Sequence, residues 1–340
     1  MTTTMRAWTT DRGSPDITAR EVPVPVPGPG ELLVRVLACG VCRTDLHVID
    51  EDIPAHRDRV VPGHQVVGEV AAVGAGVTGW TTGDLAGIAW LRRTCGGCRF
   101  CRSGRENLCA NAEFTGYDAD GGYAEYAVVG AAFAYRLPPG TDPVATAPLL
   151  CAGIIGYRAL SRANLPPGGT LGIYGFGSSA HLAAQLAAES GAVVYAMTRG
   201  ERNRALAREL GLPFVGDTGD VPPAELDSAI VFAPVGAIMT TALAHTVRGG
   251  TVVSAGIHMS PIPEFSYDDL LFGERDLRSV TANTRADGDE FLRLAHHLAI
   301  TPEVTRYAFD DVGAALDDLR SERSRGSLVI TVGDPGTGGR

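Results

Sequence analysis

Two sets of residues in this chain have types and spacings that could do chemistry. Cys95, Cys98, Cys101 and Cys109 follow one another as C-x2-C-x2-C-x7-C. Four thiolates so close together suit a closed tetrahedral zinc site with no position left for water or substrate, so the metal expected there is structural. Gly96 and Gly97 let the backbone fold back so that sulfurs two residues apart meet one ion. Iron is the rival for such a set, because four thiolates can hold it too; zinc is favoured by context. The second set is dispersed. Cys39-Gly40-Val41-Cys42-Arg43-Thr44-Asp45-Leu46-His47 is followed by Pro62-Gly63-His64-Gln65 and, much later, by Cys151. Cys42, His64 and Cys151 would make a three-ligand zinc site whose fourth position is free for an oxygen. A Lewis acid there lowers the pKa of an alcohol or polarises an aldehyde carbonyl.

The neighbours of that second set have uses of their own. The alcohol's proton must leave a dry pocket, and the Thr44 hydroxyl followed by the His47 imidazole can pass it to solvent. Asp45 is the expected acceptor of the free N–H of His64, which fixes the imidazole's tautomer and raises its basicity. Taken singly, a cysteine such as Cys151 is a small buried hydrophobe and a histidine a hydrogen-bonded residue; the combination is what points to catalysis. Cys39 is read as a packing residue, since only one cysteine of the pair is needed and Cys42 lies closer to Thr44 and His47.

A third feature suits a dinucleotide. Gly175-Phe176-Gly177-Ser178-Ser179-Ala180 reads G-x-G-x-x-A between an apolar strand and a helix. Its glycines allow a tight turn and close approach of a pyrophosphate to the helix N-terminus, where backbone N–H groups favour anions. At the end of the next strand stands Met197-Thr198-Arg199-Gly200, with no carboxylate to bind ribose hydroxyls and repel a 2′-phosphate. Thr198 can donate to a phosphate and Arg199 can pair with it, so NADP(H) is expected over NAD(H).

These sites need elements to position them. A chain of 340 residues is long for one core and suggests two domains. At 45% hydrophobic and 20% charged residues, both should fold. Up to about residue 150 the chain reads as short strands between Gly and Pro turns, among them 31–36 and 66–70. From about Gly168 the rhythm becomes strand, glycine turn, helix, strand: 171–174, the turn at 175–177, a helix over 178–190, then 192–196. Ala180, Leu182, Ala183, Leu186 and Ala187 form the helix's apolar stripe, and Gly191 stops it. Buried strands are expected at 228–232 and 251–256, helices at 287–299 and 312–319, and a last strand at 327–331. The Gly-rich last residues read as frayed.

Composition also excludes classes. A net charge of −10 without a basic stripe argues against a nucleic-acid binder. No apolar run is long enough to span a membrane, and the start of the chain lacks the pattern of a secretory signal, so the cytoplasm is expected. Seven cysteines, six of them in two clusters, fit metal ligation in a reducing compartment better than disulfides.

Together, the Cys42–His47 segment, Gly63-His64, the four-cysteine lobe, Cys151 with Gly153 and Tyr157-Arg158-Ala159-Leu160, and the Gly175 loop resemble the zinc-dependent alcohol dehydrogenases of the medium-chain dehydrogenase/reductase superfamily. The likeness covers essentially the whole chain. It implies an α/β protein: a GroES-like, β-rich catalytic domain from residues 1–150 and 285–340, carrying the zinc lobe 95–109, and a Rossmann doubly wound parallel sheet from 151–284. It also implies an active site in the cleft between domains, and homodimers or homotetramers. By motif position, Cys42, His64 and Cys151 match the catalytic zinc ligands, Thr44 and His47 the proton relay, and the four-cysteine set the structural zinc ligands, two zinc ions per chain in all. The implied reaction is hydride transfer between NADP(H) and a primary or unhindered alcohol/aldehyde pair.

One departure stands out. The family usually has Gly-His-Glu where this chain has Gly63-His64-Gln65, so a neutral amide replaces a carboxylate able to approach the metal; the carbonyl oxygen of Gln65 can still coordinate, with a weaker pull. Trp90 and Leu91 stand where family members place apolar pocket walls, which favour aliphatic or aromatic alcohols over polyols; core packing explains them equally well. Ile257 and His258 could border the nicotinamide, although a lone His is more often structural, and His181 is read the same way. Two alternatives remain: a zinc-independent double-bond reductase of the same superfamily, which has no use for Cys42, His64 and Cys151 together, and a non-catalytic zinc- and cofactor-binding regulatory protein.

Overall fold

The computed structural model describes residues 3–333. The Gly-rich last residues, expected to be frayed, lie outside the described residues apart from Gly333. The chain forms two compact units, Met1–Cys151 with Ala282–Asp289 and Glu303–Arg340, and Ala152–Thr281 with Glu290–Pro302.

The first unit is built on a seven-stranded sheet. Its path runs Ala134–Arg136, Leu85–Ile88, Gln65–Val73, Glu31–Val41, Ser327–Thr331 and Val304–Ala308, and Tyr126–Gly130 also pairs with Glu31–Val41. Leu32, Val34, Val36, Val66 and Ile330 share one core, and the central strands are buried on their other face as well, at Leu33, Val67 and Val329, so the sheet, mixed because its last two strands are parallel, is covered on both sides there. A three-stranded sheet of Thr4–Asp11, Ile17–Pro23 and Arg59–Val60 and a two-stranded ribbon of Leu91–Arg93 and Glu113–Phe114 complete the β structure. The last strand, Ser327–Thr331, begins and ends where the sequence predicts and pairs with Ala38–Val41.

The second unit carries six parallel strands: Phe214–Gly216, Val193–Met197, Thr170–Tyr174, Leu226–Val231, Thr246–Ser254 and Asp276–Ser279, in order across the sheet. By order of appearance this is 3-2-1-4-5-6, the doubly wound arrangement in which the order reverses beside the first strand. The helix Ser178–Glu189 buries Ala180, Leu182, Ala183, Leu186 and Ala187, the expected stripe. The strand expected at 251–256 is longer at its start and ends at Ser254, so Gly256 lies beyond it.

The expected boundaries differ in three places, and at two of them Cys151 and residues 282–284, assigned above to the second domain, group with the first unit. Residues 285–340 are assigned above to the first domain, but Glu290–Pro302 groups with the second unit. The reason is packing: Phe291 lies so close to Gly153 that a Cβ there would meet its ring at 2.2 Å, and Gln185 exchanges two hydrogen bonds with the backbone of Thr301. The preceding turn belongs to the first unit, because the Arg285 guanidinium is bound to Glu106 and Gly288 packs on Tyr135.

Candidate metal centres and nucleotide loop

Cys42 follows the central strand Glu31–Val41 directly and caps the short helix Arg43–Ile49, which carries Thr44, Asp45 and His47. Asp45, the third residue of that helix, turns back to accept the Cys42 backbone N–H at 2.8 Å, a capping interaction. The same buried carboxylate accepts the Gly63 N–H at 3.2 Å, His64 Nδ1–H at 3.0 Å and the Tyr123 hydroxyl at 2.9 Å. Four donors satisfy a charge that would otherwise be costly to bury. The expected Asp45–His64 contact is therefore present, and the carboxylate also ties together three chain segments. Sequence reasoning missed Tyr123; only folding brings it near, and no spacing rule connects it to the motif.

With Nδ1 committed to Asp45, His64 presents Nε2 inward, 3.3 Å from Cys151 Sγ. Ligand atoms of Cys42, His64 and Cys151 all lie within 4.8 Å of one another. Burial opposes charge on His64, but the Asp45 carboxylate and the Cys42 sulfur together outweigh it and raise the imidazole to about 10. Cys42 is pulled well below the ordinary thiol range, chiefly by the hydrogen bond from Cys151, which is pushed up in turn. Two sulfurs and an imidazole nitrogen crowded together, two of the three residues buried, are a donor set that a divalent zinc ion fits, with one position left open. Gly63 makes the approach possible: its φ is +91°, and a Cβ would meet Tyr123 at 2.7 Å and Cys39 Sγ at 2.9 Å. Cys39 is wholly buried and fills this packing position.

Thr44 Oγ1 lies 3.6 Å from Cys42 Sγ, and His47, three residues on, shares its helix face. Gln65 is buried, and its Oε1 finds no hydrogen-bond partner. Trp90 meets the His64 ring edge to face, with centroids 4.9 Å apart, and stacks on Phe114 and Tyr117. Leu91 is buried in the ribbon strand beside it.

The four-cysteine lobe is built differently. Cys98 caps the turn Arg99–Arg102, and its sulfur accepts the Cys101 N–H at 3.5 Å, while Cys109 Sγ accepts the Cys95 N–H at 3.5 Å. Backbone N–H groups, that of Gly97 foremost, lower the Cys95 thiol to about 6. The Cys98–Cys101 and Cys95–Cys101 sulfur separations are 3.5 and 3.9 Å. Zinc–sulfur bonds of about 2.3 Å in a tetrahedron put sulfurs about 3.8 Å apart, so this donor set also fits zinc. All four ligand atoms fall within 4.8 Å of one another.

In the second unit, the Gly175 loop sits where the strand order reverses. Gly175 has φ +86°, and a Cβ would meet the Ala233 N at 2.9 Å, at the end of the neighbouring strand. At Gly177 a Cβ would meet nothing within 4 Å, which leaves room beside Ser178 and Ser179 at the helix start for a phosphate to approach. Thr198 differs from expectation: its buried hydroxyl accepts the Phe176 N–H at 3.2 Å and donates to the Arg199 carbonyl at 3.2 Å, so it braces the loop instead of offering its proton to a phosphate. Arg199 is exposed, and Glu201, the next acid, is engaged by Arg204 and Arg208. His181 is fully buried, faces the Gly177 carbonyl at 3.2 Å through Nδ1, and is lowered by burial to about 4, a neutral structural group. Ile257 and His258 are exposed.

The chain matches the family model of the alcohol dehydrogenase GroES-like domain over residues 28–139 and that of the zinc-binding dehydrogenase over 180–297. It is 52% identical to a probable alcohol dehydrogenase of Mycobacterium tuberculosis, the alignment spanning 97% of this chain and 98% of that one. An acetophenone reductase from Geotrichum candidum, solved in complex with NAD, is 30% identical and superposes with a TM-score of 0.88 over 97% of each chain. A cobalt- and zinc-bound thermostable alcohol dehydrogenase from Pyrobaculum aerophilum is 28% identical, with a TM-score of 0.89 over 97% of this chain and all of that one. With both family models matched and near-full-length identity above one half, the chain belongs to the zinc-binding alcohol dehydrogenases of the medium-chain dehydrogenase/reductase superfamily.

Proposed function

We propose that this chain is a zinc-dependent dehydrogenase that moves a hydride between NADP(H) and a primary or unhindered alcohol/aldehyde pair. The observation that carries the reading is the cluster of half-buried Cys42 with buried His64 and Cys151 beside Thr44, with His47 on the same helix face. When bound, zinc would supply a Lewis acid at the open position and nicotinamide a hydride carrier.

This chain's residues do the rest. Asp45 holds His64 so that Nε2 faces the metal position. Thr44 receives the proton of a substrate hydroxyl and His47 carries it outward. Trp90 closes one side with an apolar ring, which suits aliphatic or aromatic substrates better than polyols. The lobe of Cys95, Cys98, Cys101 and Cys109 would hold a second, structural zinc ion. Gly175, Gly177 and the helix start at Ser178, Ser179 and Ala180 would receive the pyrophosphate, and Arg199 the 2′-phosphate, so the preference for NADP(H) rests on Arg199 alone.

No single helix among the described residues is long and apolar enough to cross a membrane, and we place the protein in the cytoplasm. A homodimer or homotetramer is supported by the exposed apolar side chains of Ile262, Tyr267, Phe272 and Leu277 close to the edge strand Asp276–Ser279.

The test is reduction of a panel of aliphatic and aromatic aldehydes by zinc-replete protein with NADPH and NADH side by side. NADPH should be preferred, and Arg199→Ala should raise its KM about tenfold or more while leaving NADH unchanged. A preference for NADH in the parent chain sinks the cofactor assignment; no turnover with either cofactor sinks the dehydrogenase reading.

A further inference from the structure

We infer that the aldehyde handled here is strongly electrophilic, short and conjugated with a double bond, because the chain offers such a molecule no lysine amine and no sulfur outside the two metal clusters and the core. The inference rests on the dehydrogenase reading above and narrows its substrate.

The first observation is compositional. Lysine and arginine together number 29, and every one of them is arginine. Lysine is otherwise among the commonest residues of soluble domains. At some positions the guanidinium is required: Arg285 grips Glu106 through two nitrogens, and Arg20 does the same to Asp11. At others nothing calls for its fork. Arg12 with Asp58 at 3.7 Å, Arg93 with Glu113 at 3.0 Å and Arg306 with Asp142 at 4.0 Å are ion pairs between exposed side chains, where an ammonium would serve as well. Arginine there keeps the charge and removes a primary amine from the surface.

The chemical difference is large. A free amine condenses with a carbonyl: a carbon–nitrogen bond forms and the oxygen leaves as water. An amine or thiolate also adds to the β-carbon of a conjugated aldehyde, and a proton goes to the α-carbon. Both steps need a lone pair. Lysine, with an ordinary pKa of about 10.4, keeps a fraction of free amine near neutral pH. The guanidinium, with a pKa above about 12, stays protonated and has no lone pair to give.

The sulfurs are a second, independent observation. Six of the seven cysteines belong to the two clusters, where a metal ion takes the lone pair an electrophile would use, and the seventh, Cys39, is wholly buried. Exposed imidazoles remain at His56, His258, His296 and His297; they form no imine and add to conjugated aldehydes more slowly than thiolates. The same inventory excludes one class of substrate. An α-dicarbonyl condenses with guanidinium groups, of which this chain has 29.

The experiment compares the zinc-replete parent with the charge-conserving triple variant Arg12→Lys, Arg93→Lys, Arg306→Lys. In NADPH-linked reduction, acrolein and crotonaldehyde should exceed hexanal and methylglyoxal by about tenfold or more in kcat/KM. Both proteins are then incubated with acrolein and freed of it. At the dose that modifies all three introduced lysines, intact mass should show roughly one adduct per parent chain, and the variant should lose soluble activity at least about fivefold faster. Methylglyoxal should inactivate the two alike. Hexanal or methylglyoxal as the better substrate would overturn the inference. So would several acrolein adducts per parent chain, or equal survival of parent and variant. A parent that reduces no aldehyde instead defeats the dehydrogenase reading, and the adduct count then tests the inertness of the chain by itself.

Discussion

The two thiol clusters solve the same ligation problem in opposite ways. In the lobe, Cys95 and Cys109 lie fourteen residues apart, and backbone N–H groups of the turn itself support the sulfurs, one of which belongs to an exposed cysteine. In the second cluster, His64 and Cys151 are 87 residues apart, both are buried, and the support comes from a side chain, Asp45, with four donors. A local loop carries its geometry with it, whereas a dispersed site inherits its geometry from the whole fold. The lobe should therefore matter to stability and the buried cluster to rate.

The strongest way to break this contrast is Cys42→Ala. It should lower kcat/KM by at least about 10³-fold and leave about one zinc ion per chain, with thermal unfolding shifted little. A comparable rate in the variant would end the assignment of the open site. Next is Cys101→Ser in the lobe, for which calorimetry should show a melting temperature about 10 °C lower, while turnover of the folded protein in the cold stays within about twofold of the parent. Loss of turnover with unchanged melting would reverse the roles given to the two clusters.

Gln65→Glu sharpens the buried side of the comparison. Its Oε1 has no protein partner, and a carboxylate in that place should raise turnover about threefold by drawing more strongly on the metal, while resting zinc content stays the same. Identical kinetics would reduce Gln65 to packing. The smallest effect is expected at the foot of the lobe. Hydrogen bonds from Arg285 hold Glu106 below the usual carboxylate range against the cost of burial. A carboxyl with a depressed folded-state pKa stabilises the fold above its unfolded value and loses that contribution as pH falls through the folded one. Glu106→Gln should thus lower the melting temperature by about 3 °C at neutral pH, and the gap should close as pH falls below about 4. A gap independent of pH would mean that the pair acts through shape and not charge.

Which parts could be read in advance follows the same division between local and long-range. The lobe ligands, the Gly175 turn, the helix stripe from Ala180 to Ala187 and the final strand all depend on spacing within a few residues, and spacing is what a sequence displays. Asp45 as partner of His64 is legible because a metal-bound imidazole calls for a carboxylate on its free N–H, but its bond to Tyr123 is not, since 78 residues separate them and backbone bonds of Tyr123 to Pro62 and Trp8 bring them together. The Thr198 hydroxyl was assigned outward to a phosphate, yet its nearest unsatisfied groups were the Phe176 N–H and the Arg199 carbonyl of the turn it flanks. The segment 290–302, expected in the first domain, groups with the second unit through the Phe291 ring above Gly153 and the Gln185–Thr301 hydrogen bonds, contacts that hydrophobic periodicity does not encode.

The position of the last strand has a consequence for how the chain is made. Ser327–Thr331 lies inside the seven-stranded sheet, between Glu31–Val41 and Val304–Ala308, and not at its edge. During synthesis, which runs from the N-terminus, the central strand and its cysteine have to wait nearly three hundred residues for that neighbour, while the six parallel strands of the second unit, closed by Asp276–Ser279, emerge much sooner. The inserted unit can reach its native sheet while the unit that carries the metal ligands still lacks a central strand. Without Ser327–Thr331 the strand Glu31–Val41, which leads into Cys42, would have an open edge.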